Sequence, residues 1–382
     1  MDTPFPYAQY VTGKQFFGRK NNVTLLGNLL SQGEHVSIYE PPKSGKTSLV
    51  QQALFTMRLG GKAFSAGQMN ALNIRTPEDF LLRWGSTVIR MVAATQDTYI
   101  DLVRRYLQGT HFVFDPSAFA AQGKVLSLNW DLDKDDVLAL LRMPFRLAAD
   151  RGERMFLIVD EFLCLGLLDN PDVILRPLDA VLREPRDRRL FSCVFCGSGV
   201  NAMKALFEDG LLFHRVVERV QLSPIGEQEL AEHVQRGFLA GGKVVSPDLV
   251  VGACRLFRCH VWYINHFAAI CDSKSRGYIM EPVFVEALAS LIAIHEPRFT
   301  EIVTGLTTHQ LNLLRATIDG VTRFSGADVI RRYGLNSSAN VKRVKDALMK
   351  KEVLLLDPDD KPGIIDPLFE YWLRKYYFEI KE

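Results

Sequence analysis

Short apolar runs alternate with amphipathic segments of helical length over the first 222 residues of the chain. An apolar run of about four to eight residues is typical of a strand that is buried on both faces of a parallel sheet. Alternation of such strands with helices predicts a parallel α/β sheet. The predicted strands are Val36–Tyr39, Lys62–Ala66, Phe156–Asp160, Phe191–Cys196 and Val216–Leu222.

Residues 95–135 fit this alternation poorly, because a helix at Tyr99–Leu107 is followed by aromatic residues in a loop-like context. We interpret them as an insertion or lid. Beyond Ser223 the pattern becomes helical throughout, and no strand is expected between the next helices. This second region predicts a small helical lid. Its helices are expected at Glu227–Gly241, Pro247–Phe257, His260–Ser273 and Pro282–His295.

The last region combines three short helices with two short strands that are joined by a turn rich in Asp and Pro. Three helices followed by a β-hairpin wing predict a winged helix-turn-helix. The helices are expected at Gln310–Ile318, Gly326–Tyr333 and Ala339–Lys351, and the strands at Val353–Leu356 and Gly363–Ile365. We therefore expect an α/β domain at residues 1–222, a helical lid at 223–300 and a winged helix domain at 301–382.

The segment Glu40–Ser48 connects the first predicted strand to a helix and ends in Gly45-Lys46-Thr47. A strand, a tight loop ending in Gly-Lys-Thr and a helix are the context of a phosphate-binding loop, whose backbone N–H groups and helix N-terminus face the phosphates. The residues predicted to bind nucleotide here are Lys43, Ser44, Gly45, Lys46, Thr47 and Ser48. Lys46 is expected to reach the β- and γ-phosphates, and the Thr47 hydroxyl to bind Mg²⁺.

Glu40 stands where the phosphate-loop pattern has its first Gly, and two prolines follow it. Proline has no backbone donor. Both prolines precede the residues whose amides would hold phosphate, so we expect those donors to remain. The prolines are expected to set the turn rigidly where Gly would do so by flexibility.

A pair of acids, Asp160 and Glu161, ends the apolar run that begins at Met155. The carboxyl end of a parallel strand is where open α/β sheets bind their ligands. We expect Asp160 to hold Mg²⁺ and Glu161 to act as the general base on the attacking water. A third strand ends in Gly197-Ser198-Gly199, and Ser198 is the first choice, with Asn201 the second, for a residue that orients that water.

Composition narrows the possible classes of function but does not identify one of them. A net charge of +2 implies no overall attraction to nucleic acid, although a local basic face is compatible with it. The six cysteines form no set with zinc spacing and are expected to be buried free thiols of a reducing cytoplasm. Apolar stretches fall short of the roughly 20 residues that cross a bilayer, so no membrane contact is expected.

The third helix of the winged region has basic residues at Lys342, Arg343 and Lys345. In a winged helix this helix can enter the major groove, where such charges meet phosphates. A solvated helix face is the plain alternative, and winged helices also contact proteins. Both DNA and a protein partner therefore remain open.

Six short motifs follow one another along nearly the whole chain: Phe17-Gly18-Arg19-Lys20, the phosphate loop, Asp160-Glu161, Gly197-Ser198, Phe213-His214-Arg215 and Asp366-Pro367-Leu368-Phe369-Glu370-Tyr371-Trp372-Leu373. In this order they resemble the archaeal-type ATPases of the AAA+/STAND group, known from archaea and from bacteria such as Bacteroides. The resemblance implies a P-loop NTPase sheet of the AAA+/ASCE type, a helical lid and a C-terminal winged helix.

The resemblance also implies roles for individual residues. Gly18 and Arg19 would lie near the adenine, and Arg215 would act as an arginine finger or sensor on the γ-phosphate, although His214 replaces the usual Gly before it. Cys259-His260-Val261-Trp262-Tyr263 is similar to a lid motif of the family, Gly-His-Pro-Tyr-Tyr. By that likeness His260 would approach the nucleotide.

Two classes of function are compatible with these motifs. The first is a slow ATPase that uses ATP and Mg²⁺ as a nucleotide-driven switch, with DNA or a protein partner at the winged helix and nucleotide-dependent homo-oligomers. The second is a scaffold or DNA-binding adaptor that binds nucleotide without hydrolysing it. Glu40 favours the second, whereas the pair Asp160 and Glu161 favours the first. A small-molecule kinase is a third hypothesis, and the predicted winged helix disfavours it.

Overall fold

The computed structural model describes residues 4–117, 125–186, 189–210, 212–357 and 359–380. These residues form two compact units. One, here called the sheet unit, comprises Lys20–Glu40 and Leu49–Leu222. The other, the lid–wing unit, comprises Met1–Arg19, Pro41–Ser48 and Ser223–Glu382. Part of the predicted 95–135 insertion and Pro358 of the wing turn lie outside the described residues.

The sheet unit contains a five-stranded parallel sheet with the strand order β2-β5-β6-β1-β7. Its three central strands are almost wholly buried, as expected for apolar runs covered on both faces. The two edge strands are partly exposed. The strands are β1 His35–Tyr39, β2 Phe64–Asn70, β5 Arg154–Asp160, β6 Phe191–Gly197 and β7 Val217–Arg219.

All five predicted strands are confirmed, and the largest shifts fall on the two edge strands. An edge strand has a weaker apolar signal because only part of it is buried, so its bounds are harder to read. The insertion adds an antiparallel hairpin of β3 Phe112–Phe114 and β4 Leu126–Leu128.

Helices precede and connect these strands, and the first three residues of the helix at Lys46–Leu59 belong to the lid–wing unit. The helix at Pro77–Arg90 begins with a capped first turn, because the Thr76 side chain accepts the Asp79 N–H at 3.2 Å and Pro77 takes the first position. The bounds are α1 Lys20–Gln32, α2 Lys46–Leu59, α3 Pro77–Arg90, α4 Gln96–Tyr106, α5 Lys134–Arg151, α6 Asp172–Arg183 and α7 Val200–Phe207.

The lid–wing unit is mainly helical. Its helices are α8 Glu227–Ala240, α9 Pro247–Leu256, α10 Val261–Lys274, α11 Glu281–Thr304, α12 Thr308–Ile318, α13 Ala327–Tyr333, α14 Ser338–Lys350 and α15 Pro367–Trp372. Its last two strands, β10 Leu354–Leu356 and β11 Pro362–Ile364, pair antiparallel as the wing. The helix α11 runs across the boundary that the sequence placed between residues 300 and 301.

The expectation of a lid without strands is wrong. Two short strands, β8 Val244–Val245 and β9 Tyr278–Ile279, pair in parallel between the lid helices. Each has two residues, so neither is long enough to leave an alternating pattern. No helix among the described residues combines the length and apolar character that a membrane crossing needs. The six cysteines are free, and all but Cys259 are buried.

Candidate functional site

The phosphate loop belongs to the lid–wing unit. It follows β1 directly along the chain and ends where α2 begins at Lys46. Lys43 and Gly45 adopt left-handed backbone angles, with φ of 62° and 97°. The Lys46 side chain is only 7% exposed, and its ammonium group donates to the carbonyl oxygen of Pro41 at 3.0 Å. The predicted lysine therefore points back over the loop that is proposed to hold phosphate.

The loop fits an anionic group in one further respect. The Ser44 hydroxyl is buried and has no hydrogen-bond partner among the described residues. A buried hydroxyl without a partner is costly, so such a group usually has a ligand or water to bond. The neighbouring Ser48 hydroxyl is used structurally, since it accepts the backbone N–H of Val11 at 3.2 Å. Thr47 is half-buried at the first turn of α2.

Arg19 anchors the loop. Its Nη1 donates to the carbonyl oxygen of Ser44 at 2.5 Å, and its Nε donates to that of Ser223 at 2.9 Å. Both Gly18 and Arg19 are left-handed, with φ of 64° and 53°. At Gly18 an added Cβ would also lie 3.1 Å from the Ile225 side chain. The predicted pair therefore lies at the loop, and Arg19 holds the backbone there.

A cavity of about 90 Å³ adjoins the loop within the lid–wing unit. Two aromatic residues, Tyr7 and Trp262, line it, and the indole N–H donates to the Tyr7 carbonyl oxygen at 2.7 Å. Asn265 also lines it and donates to the Pro6 carbonyl oxygen at 3.1 Å. Sequence reasoning gave these three residues no role. The aromatic pair after His260 was the available signal for Trp262.

His260 lies beside the loop. Its Nε2 is 3.3 Å from the carbonyl oxygen of Pro42. A carbonyl only accepts, so this nitrogen must carry the proton. Burial lowers the pKa of His260, which keeps the ring neutral. The residue contacts the loop backbone, and a direct contact with nucleotide stays a prediction.

The acids of the sheet unit lie at the carboxyl end of β5. Glu161 adopts a left-handed conformation with φ of 52°. One of its carboxylate oxygens, Oε2, accepts both the Ser198 hydroxyl at 2.8 Å and the Ser198 backbone N–H at 3.2 Å. Strain of this kind costs about 1–3 kcal/mol and is concentrated at functional sites. Asp160 is bonded next to it, where its Oδ1 accepts the Glu161 N–H at 3.2 Å.

Ser198 is thus a direct partner of Glu161, which sequence reasoning did not foresee. Its position depends on Gly197, because an added Cβ there would lie 2.6 Å from Met203. Only glycine lets β6 end this close to α7. The arrangement can fix the direction of the Glu161 carboxylate. Asn201, the second choice, lies in the first turn of α7.

Glu40, the departure from the phosphate-loop pattern, has a structural role in the sheet unit. Its Oε1 accepts the backbone N–H of Leu222 at 3.1 Å. The side chain therefore ties the end of β1 to the segment that follows β7. A glycine could not make this bond, so the substitution adds a contact at the place where the loop begins.

Arg215 lies near the amino ends of the sheet strands, whereas Glu161 follows the carboxyl end of β5. It comes two residues before β7 and lines a cavity of about 530 Å³ with residues at the amino ends of β1 and β6, including Gly33 and Leu190. The side chain is exposed, its backbone is left-handed with φ of 61°, and it forms no ion pair with another described residue. Within one chain this position does not bring Arg215 to the carboxyl edge.

The basic residues of α14 lie on the outside of the winged region. Lys342 and Arg343 are exposed and Lys345 is half-buried, while Val341, Val344 and Leu348 face the core. Acidic residues occupy the described part of the wing turn, where Asp357, Asp359 and Asp360 are exposed. The helix is therefore the basic element and the turn the acidic one.

Comparison with known proteins agrees with this architecture. The model of a probable winged helix domain matches residues 297–375. A Walker-type ATPase of Pyrococcus abyssi is similar over 97% of this chain and 100% of its own, with 15% identity and a TM-score of 0.69. The ORC2 protein of Aeropyrum pernix, solved as ADPNP–ADP complexes, is similar over 96% of this chain and 93% of its own, with 13% identity and a TM-score of 0.58.

No curated protein matches the chain in sequence. The structural likeness nevertheless covers both the parallel sheet and the C-terminal winged helix. It confirms the predicted fold class and the likeness to archaeal ATPases. The chain has the fold of the archaeal Walker-type P-loop ATPases, a mostly parallel central sheet with helices and a winged helix domain at the C-terminus.

Proposed function

We propose that this chain binds ATP with Mg²⁺ and hydrolyses it slowly, as a nucleotide-driven switch whose winged helix contacts DNA or a protein partner. The observation that carries the proposal is the Glu161 carboxylate, held by two hydrogen bonds from Ser198 at the carboxyl end of β5. A protein that only binds nucleotide has no chemical need for a fixed general base.

The phosphate loop supports the binding step. Its backbone amides, the Lys46 ammonium group and the unpartnered Ser44 hydroxyl are donors that suit an anionic phosphate. Arg19 supports binding indirectly by fixing the Ser44 carbonyl. The aromatic side chains of Tyr7 and Trp262 offer an apolar wall for the adenine.

Mg²⁺ prefers hard oxygen ligands, and the Thr47 hydroxyl and the Asp160 carboxylate are each of this kind. When bound, Mg²⁺ neutralises charge on the β- and γ-phosphate oxygens. Glu161 would take a proton from the attacking water, and Ser198 would hold the carboxylate in the required direction. Lys46 would stabilise charge on the γ-phosphate oxygens by a charge-assisted hydrogen bond.

Arg215 is assigned to a neighbouring subunit's nucleotide. The residue is exposed and lies at the amino edge of the sheet, away from the acids of its own chain. An arginine finger supplied in trans is a known device for stabilising phosphoryl transfer. The assignment requires a homo-oligomer that forms when ATP is bound.

A non-hydrolysing scaffold or DNA-binding adaptor is the second candidate. Its best support was Glu40 in place of glycine, and this residue bonds to the Leu222 backbone at 3.1 Å. The bond gives the substitution a structural reason that does not involve loss of catalysis. The second candidate is therefore less well supported than the ATPase.

Hydrolysis of ATP by the whole 382-residue chain, with and without duplex DNA, tests the proposal. Reversal of Lys342, Arg343 and Lys345 to Glu should abolish DNA binding, since contacts to phosphate make up most of non-specific affinity. Reversal of Arg176, an exposed residue of α6 in the sheet unit, is the control. If the chain hydrolyses no ATP under any of these conditions, the scaffold is the remaining candidate. If the triple variant still binds DNA, α14 is not part of the DNA interface.

A further inference from the structure

The turn between α9 and α10 of the lid–wing unit, residues Arg258–His260, has an unusual backbone. Two consecutive residues other than glycine, Arg258 and Cys259, are left-handed, with φ of 49° and 55°. Hydrogen bonds hold this conformation, including one from the Cys259 N–H to the Cys254 carbonyl oxygen at 2.7 Å. Backbone strain persists only where surrounding contacts enforce it and often marks a functional site.

One side of this turn contacts the phosphate loop. His260 donates from Nε2 to the Pro42 carbonyl oxygen at 3.3 Å. Next to it, the Lys43 ammonium group lies 5.4 Å from the centre of the Trp262 ring, within the range of a cation–π contact. The beginning of α10 is therefore linked to two adjacent residues of the loop.

The other side of the turn contacts the winged region. Arg258 donates to the Ile364 carbonyl oxygen of β11 at 2.7 Å and pairs with the Glu370 carboxylate of α15 at 3.2 Å. Both contacts belong to one guanidinium group. A single side chain of the strained turn thus holds the last wing strand and the terminal helix.

A second connection, through Asp366, runs parallel to the first. The Tyr263 hydroxyl lies 2.8 Å and 2.9 Å from the two Asp366 oxygens, and Arg298 of α11 donates to the same carboxylate at 2.6 Å. Asp366 also caps α15, because Oδ1 accepts the Leu368 and Phe369 N–H groups at 3.0 and 3.1 Å. The start of α15 is therefore fixed by lid residues.

A cavity of about 290 Å³ lies among these contacts. Residues of the loop, the lid and the winged region line it, among them Pro42, His260, Tyr263, Asp366 and Phe369. Close-packed interiors contain little free space into which a segment can move. A cavity here leaves room for the turn to shift while its polar contacts persist.

We propose that the Arg258–His260 turn positions the phosphate loop and couples its occupancy to the winged region through Arg258 and Asp366. ATP at the loop would act on the Pro42 carbonyl that His260 holds, and the turn would pass the shift to β11 and α15. The coupling is reciprocal, so the state of the winged region would alter ATP affinity by the same factor. This inference rests on the proposed ATP binding and deepens it.

Hydrogen exchange of the full-length protein, with and without ATP and Mg²⁺, tests the coupling. In the wild type, we expect ATP to change the exchange rates of residues 362–370 by at least about fivefold, the lower end of typical allosteric coupling. Arg258→Gln should bind ATP but show a smaller change, because only the connection through Asp366 would remain. Arg255→Gln is the matched control, since Arg255 lies three residues earlier and pairs with Glu227 instead.

The outcomes separate this inference from the proposed function. If the wild type fails to bind ATP, the proposed function is wrong. If ATP binds and residues 362–370 respond equally in wild type and Arg258→Gln, the coupling through this turn is wrong. Should Arg258→Gln not fold, Tyr263→Phe replaces it, because it removes only the hydroxyl that contacts Asp366. A full response in that variant would also overturn the coupling.

Discussion

The carboxyl ends and the amino ends of the strands in the central sheet differ in charge and in the contacts that their charged residues make. We call these two sides the carboxyl edge and the amino edge. At the carboxyl edge, Asp160 and Glu161 are bonded to neighbouring donors that fix their direction. At the amino edge, Arg189 pairs with Glu34 at 2.6 Å, and the Arg186 guanidinium lies 3.4 Å from the centre of the Phe145 ring. Arg215, also at this edge, is exposed and forms no ion pair with another described residue.

The difference indicates which charges are available for chemistry. The seven residues of β5 span about 20 Å at roughly 3.3 Å per residue, so groups at its two ends cannot meet on one phosphate. Most amino-edge arginines stabilise the fold locally. We therefore propose that the acids at the carboxyl edge act within the chain and that Arg215 acts on a neighbouring subunit.

Removal of the Arg215 guanidinium should have the largest effect on turnover. Arg215→Ala is expected to lower the rate of ATP hydrolysis by about 10³-fold, the lower end of what an arginine finger contributes. Because the residue would act in trans, added Lys46→Ala protein, which supplies Arg215 but binds ATP at least about 100-fold more weakly, should restore part of the rate. Arg189→Ala at the same edge is the control. A variant that hydrolyses ATP normally would leave the amino edge without a catalytic role.

Neutralising Glu161 at the carboxyl edge should have the next largest effect on turnover. Glu161→Gln keeps the size of the side chain but removes the base, and we expect turnover to fall by about 10²- to 10³-fold while ATP affinity is retained. Glu153→Gln, just before the amino end of β5, is the matched control, where Glu153 accepts the Ser65 hydroxyl at 2.7 Å. Single-turnover hydrolysis and ATP titration measure both quantities, and undiminished turnover would move the base elsewhere.

At the amino edge, we also expect a smaller effect, that of His35 on the free energy of unfolding. Burial, together with the nearby charges of Arg186 and Arg189, lowers the pKa of His35 from 6.5 to about 3. The unfolded chain takes up this proton below pH 6.5 and the folded chain does not. The contribution of neutral His35 to the free energy of unfolding is therefore complete above pH 6.5. It is lost as the pH falls toward 3, by about 1.4 kcal/mol per pH unit.

Urea unfolding at pH 7 and pH 5 measures this contribution. We expect about 2 kcal/mol of the loss between these pH values to come from His35. His35→Asn retains an acceptor for the Cys193 N–H, which His35 Nδ1 accepts at 3.1 Å. The pH-dependent loss should therefore be smaller in this variant, and equal losses would mean that other groups titrate.

Much of the sheet could be predicted from the sequence because its central strands are apolar on both faces. The placement of Asp160 followed directly, since an acid after a parallel strand lies at the carboxyl edge. The same reasoning applies to Arg215, which precedes β7 and so lies at the amino edge. The sequence therefore contains the information that places Arg215 away from the acids.

Other features depend on contacts between distant segments, which one sequence does not encode locally. The bond between Glu161 and Ser198 joins residues 37 positions apart, and that between Tyr263 and Asp366 joins residues 103 apart. Asp366 could be recognised as the start of a helix, but not as a partner of the lid. The short strands β8 and β9 were missed for lack of length.

Binding of ATP and Mg²⁺ to the wild type and to Lys46→Ala, measured by titration calorimetry, tests the central claim most directly. Loss of a charge-assisted contact of about 3 kcal/mol should weaken binding by at least about 100-fold. Lys20→Ala, an exposed residue at the start of α1, should bind as the wild type does. Equal affinity of the wild type and Lys46→Ala would contradict the assignment of the phosphate loop and, with it, the ATPase.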